Sequence, residues 1–162
     1  MAKHSGASTP ATIALTRAGI PFEMRSYHHD PRETDFGSEA ASALGVAPEL
    51  VYKTLLAEVD GTLVVGVVPV SGHLDLKALA AALAGKRAVM ADPAVAERKT
   101  GYVVGGISPI GQRTLLRTVL DVSARAHDRV LVSGGRRGLD LELVPEDLRL
   151  ATQGIWADIA KA

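Results

Sequence analysis

The chain has 162 residues, 47% of them apolar and 22% charged, enough aliphatic material for one core and too much for disorder. It has no cysteine, which excludes a disulfide, a thiolate metal site and a cysteine nucleophile of its own. Lysine plus arginine equals aspartate plus glutamate at 18 each, which argues against gripping long nucleic acid by counterion release but leaves room for a local basic pocket of Lys53, Arg113, Arg136 and Arg137.

Thr9-Pro10 reads as an N-cap followed by proline at the first helical position, with a helix over Ala11 to Ala18 that Gly19 stops. Phe22, Met24 and Ser26 alternate as a short strand, and Tyr27 to Pro31 turns the chain into a polar loop. A second short helix, Ser38 to Leu44, closes at Gly45. A turn at Pro48 to Val51 then leads into two β-branched runs between Tyr52 and Pro69, folded into a hairpin by Asp60-Gly61. Leucine and alanine recur at helical spacing from Asp75 to Leu83, Arg87 to Met90 reads as a strand, and Asp92-Pro93 caps a third main helix that runs to Gly101.

Beyond it, strands are predicted at Tyr102 to Val104, Thr114 to Leu120, Arg129 to Ser133 and Leu139 to Leu143, with glycine turns at Gly105-Gly106 and Gly134-Gly135 and a last helix over Pro145 to Leu150. Short strands interleaved with helices that need a face to cover predict a single α+β domain, a curled mixed sheet flanked by helices. Met1 to Pro10 lacks an apolar signal region, and no run approaches the roughly 20 apolar residues of a bilayer span. The reading is cytoplasmic, with no membrane partner.

The phosphate loop, the dinucleotide glycine fingerprint, the zinc-protease H-E-x-x-H and the serine-hydrolase elbow are all missing. His28-His29 beside Asp30 is a weak metal signal, because adjacent residues on a strand or turn point apart, so no metal or cofactor is expected. Lys53 sits in an apolar run and shares a strand face with Val51 and Leu55. On a core face its ammonium needs a carboxylate or an anionic ligand; on an edge strand it snorkels. The glycine pairs Gly105-Gly106 and Gly134-Gly135 each follow an aliphatic run, where backbone N–H groups can approach a carbonyl or phosphate oxygen or simply turn the chain. Asp140 shares a face with Glu142 and points to a pocket or to water.

Tyr27-x-His29-Asp30-Pro31 with Phe36-Gly37, then Val51-Tyr52-Lys53-Thr54-Leu55, Leu74-Asp75-Leu76-Lys77 and Ala91-Asp92-Pro93 come in that order. Thr100-Gly101-Tyr102-x-Val104-Gly105-Gly106-Ile107-Ser108-Pro109 and Val132-Ser133-Gly134-Gly135-x-Arg137-Gly138-Leu139-Asp140 follow. Together these motifs resemble the YbaK family of Cys-tRNA(Pro) deacylases. The resemblance runs from about Thr9 to Ile159, loosely after Pro145, and implies an editing domain over 9–162 behind a short extension, 1–8.

The resemblance implies a mostly antiparallel, barrel-like sheet, a pocket for the aminoacylated terminal adenosine, and hydrolysis of misacylated proline tRNA. Lys53 matches the family's signature lysine, which holds the terminal ribose-phosphate end. Tyr27, Phe36, Thr54, Gly105, Ser133 and Asp140 match positions that line or shape the pocket, and the motifs add His29, Ile107, Ser108 and Gly134 as substrate-binding residues. For His29 a structural hydrogen bond is preferred over proton transfer. In the family's scheme the substrate's own cysteine thiol attacks its ester carbonyl and leaves as a thiolactone, so a chain without cysteine loses nothing. Backbone donors at Gly105 and Gly106 would stabilise the oxyanion.

Alanine editors of the same superfamily carry Lys-Asn where this chain has Lys53-Thr54, which favours cysteine. Editing of alanine or another small amino acid by water attack, and a silent module that binds acceptor ends, are the alternatives. Prolyl-tRNA synthetase is the implied protein partner.

Overall fold

The computed structural model describes residues 8–162, so most of the expected extension, residues 1–7, lies outside the described residues. In chain order the elements are α1 (Pro10–Ala18), β1 (Glu23–Ser26), α2 (Phe36–Leu44), β2 (Tyr52–Val59), β3 (Thr62–Pro69), β4 (His73–Leu74), α3 (Leu76–Ala82) and β5 (Ala88–Met90). They continue as α4 (Pro93–Thr100), β6 (Thr118–Asp121), β7 (Val130–Arg136), β8 (Leu139–Leu143), α5 (Pro145–Thr152), β9 (Ile155–Ala157) and β10 (Ala160–Lys161).

The β2–β3 hairpin is the centre of the molecule, paired from Tyr52 with Pro69 to Val59 with Thr62. Asp60 and Gly61, at φ 49° and 84°, form the left-handed two-residue turn that suits the twist of paired strands. β5 adds antiparallel to β2, β6 parallel to β3 and β9 parallel to β6, giving the order β5-β2-β3-β6-β9. β1, β8 and β7 form a second, antiparallel sheet, and β4 pairs with β10. A bridge between Val51 and Leu131 ties the two larger sheets together. The α+β, mixed-sheet expectation holds, but the sheets do not close into a barrel: β5 and β9 remain edges of one sheet, β1 and β7 of the other.

Alternation along the central hairpin sorts the core. Tyr52, Leu56, Val65 and Val67 face α1 and α5 in one cluster with Leu15, Leu120, Leu141 and Leu148. Ala57, Val59, Val64 and Val68 face the opposite way, onto Leu79 and Ala80 of α3 and Leu83 just past its end. A third cluster packs Ala40 and Ala41 of α2 on Val51 and Leu131, where the two sheets meet. Among the described residues no helix is long and apolar enough to cross a membrane.

Helix starts follow their caps. Thr9 and Thr12 form a reciprocal capping box, and Asp35 and Asp92 accept the amides of Ser38 and Ala94. The Asp35 cap explains why α2 begins at Phe36, two residues before the expected Ser38.

Three expectations are corrected. Tyr102 to Val104 is loop, because the buried Tyr102 hydroxyl donates to the Ile110 carbonyl at 2.7 Å and folds the segment back on itself. The strand expected over Thr114 to Leu120 shrinks to β6, which starts only at Thr118. Gly134-Gly135 is no turn: it lies inside β7 at a bulge between Ser133 and Arg136, and the chain reverses at Arg137-Gly138. The short strands β4, β9 and β10 have no sequence period of their own; Asp121 helps place β10 by accepting the amides of Ile159 and Ala160 at 2.9 and 3.0 Å.

Candidate functional site

A cavity of about 350 Å³ opens where the two larger sheets, α2 and α4 converge, within the range of small-ligand pockets. β2 contributes Lys53 and Thr54, the paired residues Ser133 and Asp140 come from β7 and β8, and Tyr27 follows β1. Phe36 opens α2, and Gly105 and Ile107 come from the loop after α4.

Three polar groups in this wall have no partner among the described residues. The Thr54 hydroxyl oxygen is buried without a hydrogen bond. Lys53, half-buried, forms no ion pair, and the Gly105 N–H makes no hydrogen bond. Buried polar groups are normally satisfied, and of the three only the Thr54 oxygen is fully buried; Lys53 and Gly105 are partly open to solvent and line the same cavity.

Asp140 is the fourth polar feature. It is 5% exposed and lines the cavity without a side-chain hydrogen bond among the described residues. Burial pushes its carboxyl up to about 7, with the Arg25 guanidinium pulling the other way. Arg25 is cross-strand from Asp140, yet its guanidinium bonds to Glu142. Tyr27, raised to about 12 by burial and next by the Asp140 charge, stays a neutral phenol.

Phe36 organises the mouth. The Arg137 guanidinium lies 4.8 Å from its ring centroid and donates to the Val104 carbonyl at 2.6 and 2.9 Å. Gly105, at φ 89°, is pressed so closely on the ring that a Cβ there would sit 2.8 Å from Phe36 carbons. Only a residue without a side chain lets the loop reach α2 here.

The remaining expected site residues stand behind the wall. Gly106 spends its N–H on the Val103 carbonyl at 2.8 Å, so it is not free to meet a ligand oxyanion. Ser108 is fully buried and accepts from the Ile110 amide at 3.2 Å. The Gly134 carbonyl accepts the Thr9 hydroxyl, and His29 holds Glu39 Oε1 through Nδ1 at 2.7 Å. No group of three or more metal-ligating side chains occurs among the described residues.

Sequence reading did not single out Asp35, Met90 and Ala96 of the wall. Nothing in their sequence context set them apart; the exposure of Met90, 50% at the end of β5, shows only in the fold.

Residues 32–150 match the family model described as "Aminoacyl-tRNA editing domain". The chain is 38% identical to the Enterococcus faecalis protein named "Putative Cys-tRNA(Pro)/Cys-tRNA(Cys) deacylase EbsC", over 97% of this chain and 96% of that one. Two solved structures share the fold with a TM-score of 0.83 each. One, of "hypothetical protein APE2540", is 27% identical and covers 94% of this chain and 100% of its own. The other, described as "a putative trans-editing enzyme for prolyl tRNA synthetase", is 24% identical over 96% of this chain and 99% of its own.

Proposed function

The chain belongs to the aminoacyl-tRNA editing domain family, and on that premise we propose that it deacylates cysteine-charged proline tRNA, with the substrate's own thiol as nucleophile. The observation that carries this reading is the set of unpaired polar groups in the cavity wall, in a chain that has no cysteine to attack with.

The cysteinyl ester of the terminal adenosine enters the cavity with its ribose-phosphate end at the Lys53 ammonium. The substrate sulfur attacks its own ester carbonyl, the carbon–oxygen bond to the ribose breaks, and the ribose oxygen leaves as a hydroxyl with the proton the thiol gave up. The product thiolactone is opened by water. Oxyanion charge falls to the Gly105 N–H alone, because that of Gly106 is already used. The Thr54 hydroxyl gains its missing partner from the ligand, and the Asp140 carboxylate pairs with the substrate's α-ammonium. Because thiol and ester already belong to one molecule, the cavity's main lever is selecting the attack geometry and stabilising the developing charge.

The test is single-turnover deacylation of cysteine-, alanine- and serine-charged proline tRNA by wild type and Lys53→Ala. Rapid release of cysteine alone, lowered about a hundredfold in the variant by loss of positioning, is expected. Equal release of alanine would replace the substrate thiol with water, and binding without any release would leave a silent acceptor-end module.

A further inference from the structure

Five cations, Arg98, Lys99, Arg113, Arg136 and Arg137, sit on three neighbouring segments beside one side of the cavity: the end of α4, the stretch laid on it, and the end of β7 with its turn. α4 runs from Pro93 and Ala96 in the cavity wall to Arg98 and Lys99 at its end. Arg113 is laid on that end: its amide donates to the Thr100 carbonyl at 2.9 Å, the Thr114 amide to Lys99 at 3.1 Å, and its guanidinium reaches the Arg98 carbonyl at 3.4 Å. The loop continues the surface. The Val104 amide donates to Glu97 Oε2 at 2.8 Å, and the Val104 carbonyl accepts from Arg137. Gly106 approaches Arg136 so closely that a Cβ would lie 2.7 Å from the arginine Cα.

All five cations are exposed, and none has a carboxylate partner among the described residues. The sequence holds no aspartate or glutamate from Arg98 to Leu120. Glu97, bound to a backbone amide, is the carboxylate within the strip. On the α2 side of the mouth Asp30, Glu33 and Asp35 precede the helix, with Asp35 in the wall and the cation there, Arg32, paired to Asp30. In a chain of zero net charge, the α4 side of the entrance thus carries cations without carboxylate partners, while the cation on the α2 side is already paired.

We propose that this strip is the track for the phosphate backbone of the RNA whose charged 3′ end enters the cavity, so that the strand leaves over α4 and the 101–106 loop. The proposal rests on the reading of the cavity as an aminoacyl-tRNA site. Unpaired guanidinium and ammonium groups keep their full charge for phosphates, and each phosphate neutralised releases counterions.

The experiment measures binding of a fluorescently labelled, uncharged acceptor-stem minihelix ending in CCA, by anisotropy across a KCl series. Arg98→Gln/Lys99→Gln is expected to weaken binding at least about tenfold at low salt and to flatten the slope of log affinity against log salt by about two. Lys77→Gln/Lys161→Gln removes the same charge from α3 and β10 and is expected to stay within about twofold of wild type. Equal losses in the two variants, no loss in the first, or no wild-type binding at low salt would overturn the track. Intact minihelix binding with loss of prolyl-tRNA synthetase association would overturn it too, making the strip a protein surface. Because the probe carries no amino acid, failure to hydrolyse cysteinyl-tRNA would sink the reaction while leaving this result standing.

Discussion

Asp140 is an ionisable group buried at the cost of folding. Its carboxyl sits near 7 in the folded chain against an ordinary value of 3.8, with burial the main cause. The folded state therefore holds this proton more firmly than the unfolded state. The stability tied to it is full below about pH 4 and is lost as pH rises through about 7, a difference of up to about 4 kcal/mol. Asp140→Asn has no proton to lose. Urea unfolding of both proteins from pH 4 to 8 is expected to show wild type losing stability relative to the variant across that window, with the variant the more stable at pH 8. A constant difference between them would mean that the carboxyl titrates normally. In the proposed complex the substrate's α-ammonium offsets this cost, so stability is traded for a charge that waits for its ligand.

At the scale of elements, the junction between the loop after α4 and the start of α2 fixes the shape of the cavity mouth. Gly105→Ala puts a methyl 2.8 Å from the Phe36 ring at a φ of 89°, whereas Gly61→Ala, at φ 84° in the hairpin turn, meets nothing within 4 Å. Both variants carry the backbone strain, of order 1–3 kcal/mol, and both are expected to melt several degrees lower. Only Gly105→Ala is expected to lose deacylation as well, at least about tenfold in kcat/KM. Similar activity in the two would show that loop-to-helix contact does not shape the site.

The same elements show what was legible in the sequence. The hairpin, α1 and α4 were readable because their signals are local: Asp60-Gly61, Thr9-Pro10, and Asp92-Pro93 ending at Gly101. Tyr102 to Val104 misled because its conformation is set by a tertiary bond from the Tyr102 hydroxyl, and Gly134-Gly135 because a bulge and a turn share one composition. Read residue by residue, the sequence left Lys53 and Asp140 open between a pocket and solvent; it was the family resemblance that implied one pocket for Lys53, Thr54, Ser133 and Asp140, which the cavity lining contains. The resemblance did not tell Gly105, which faces that cavity, from Gly106, whose amide turns back to Val103.

Over the whole molecule, zero net charge limits how firmly this chain can hold an entire tRNA, since affinity for the phosphate backbone scales with the cations committed to it. If the five-cation strip holds the acceptor end as proposed, a second surface is expected to recognise the tRNA body. We propose prolyl-tRNA synthetase as that surface. The expected outcome is that adding the synthetase raises kcat/KM on cysteine-charged proline tRNA at least about fivefold, chiefly through KM, because a second set of contacts raises the effective concentration of the charged end. Cysteine-charged cysteine tRNA, the second substrate in the name of the Enterococcus faecalis relative, should gain nothing from the synthetase. Steady-state deacylation of the two substrates with and without the synthetase, at two salt concentrations, makes the comparison. Tight, salt-resistant binding of bare tRNA by this chain alone would refute the division of labour, because the molecule would then hold its substrate by contacts that its charge balance does not supply.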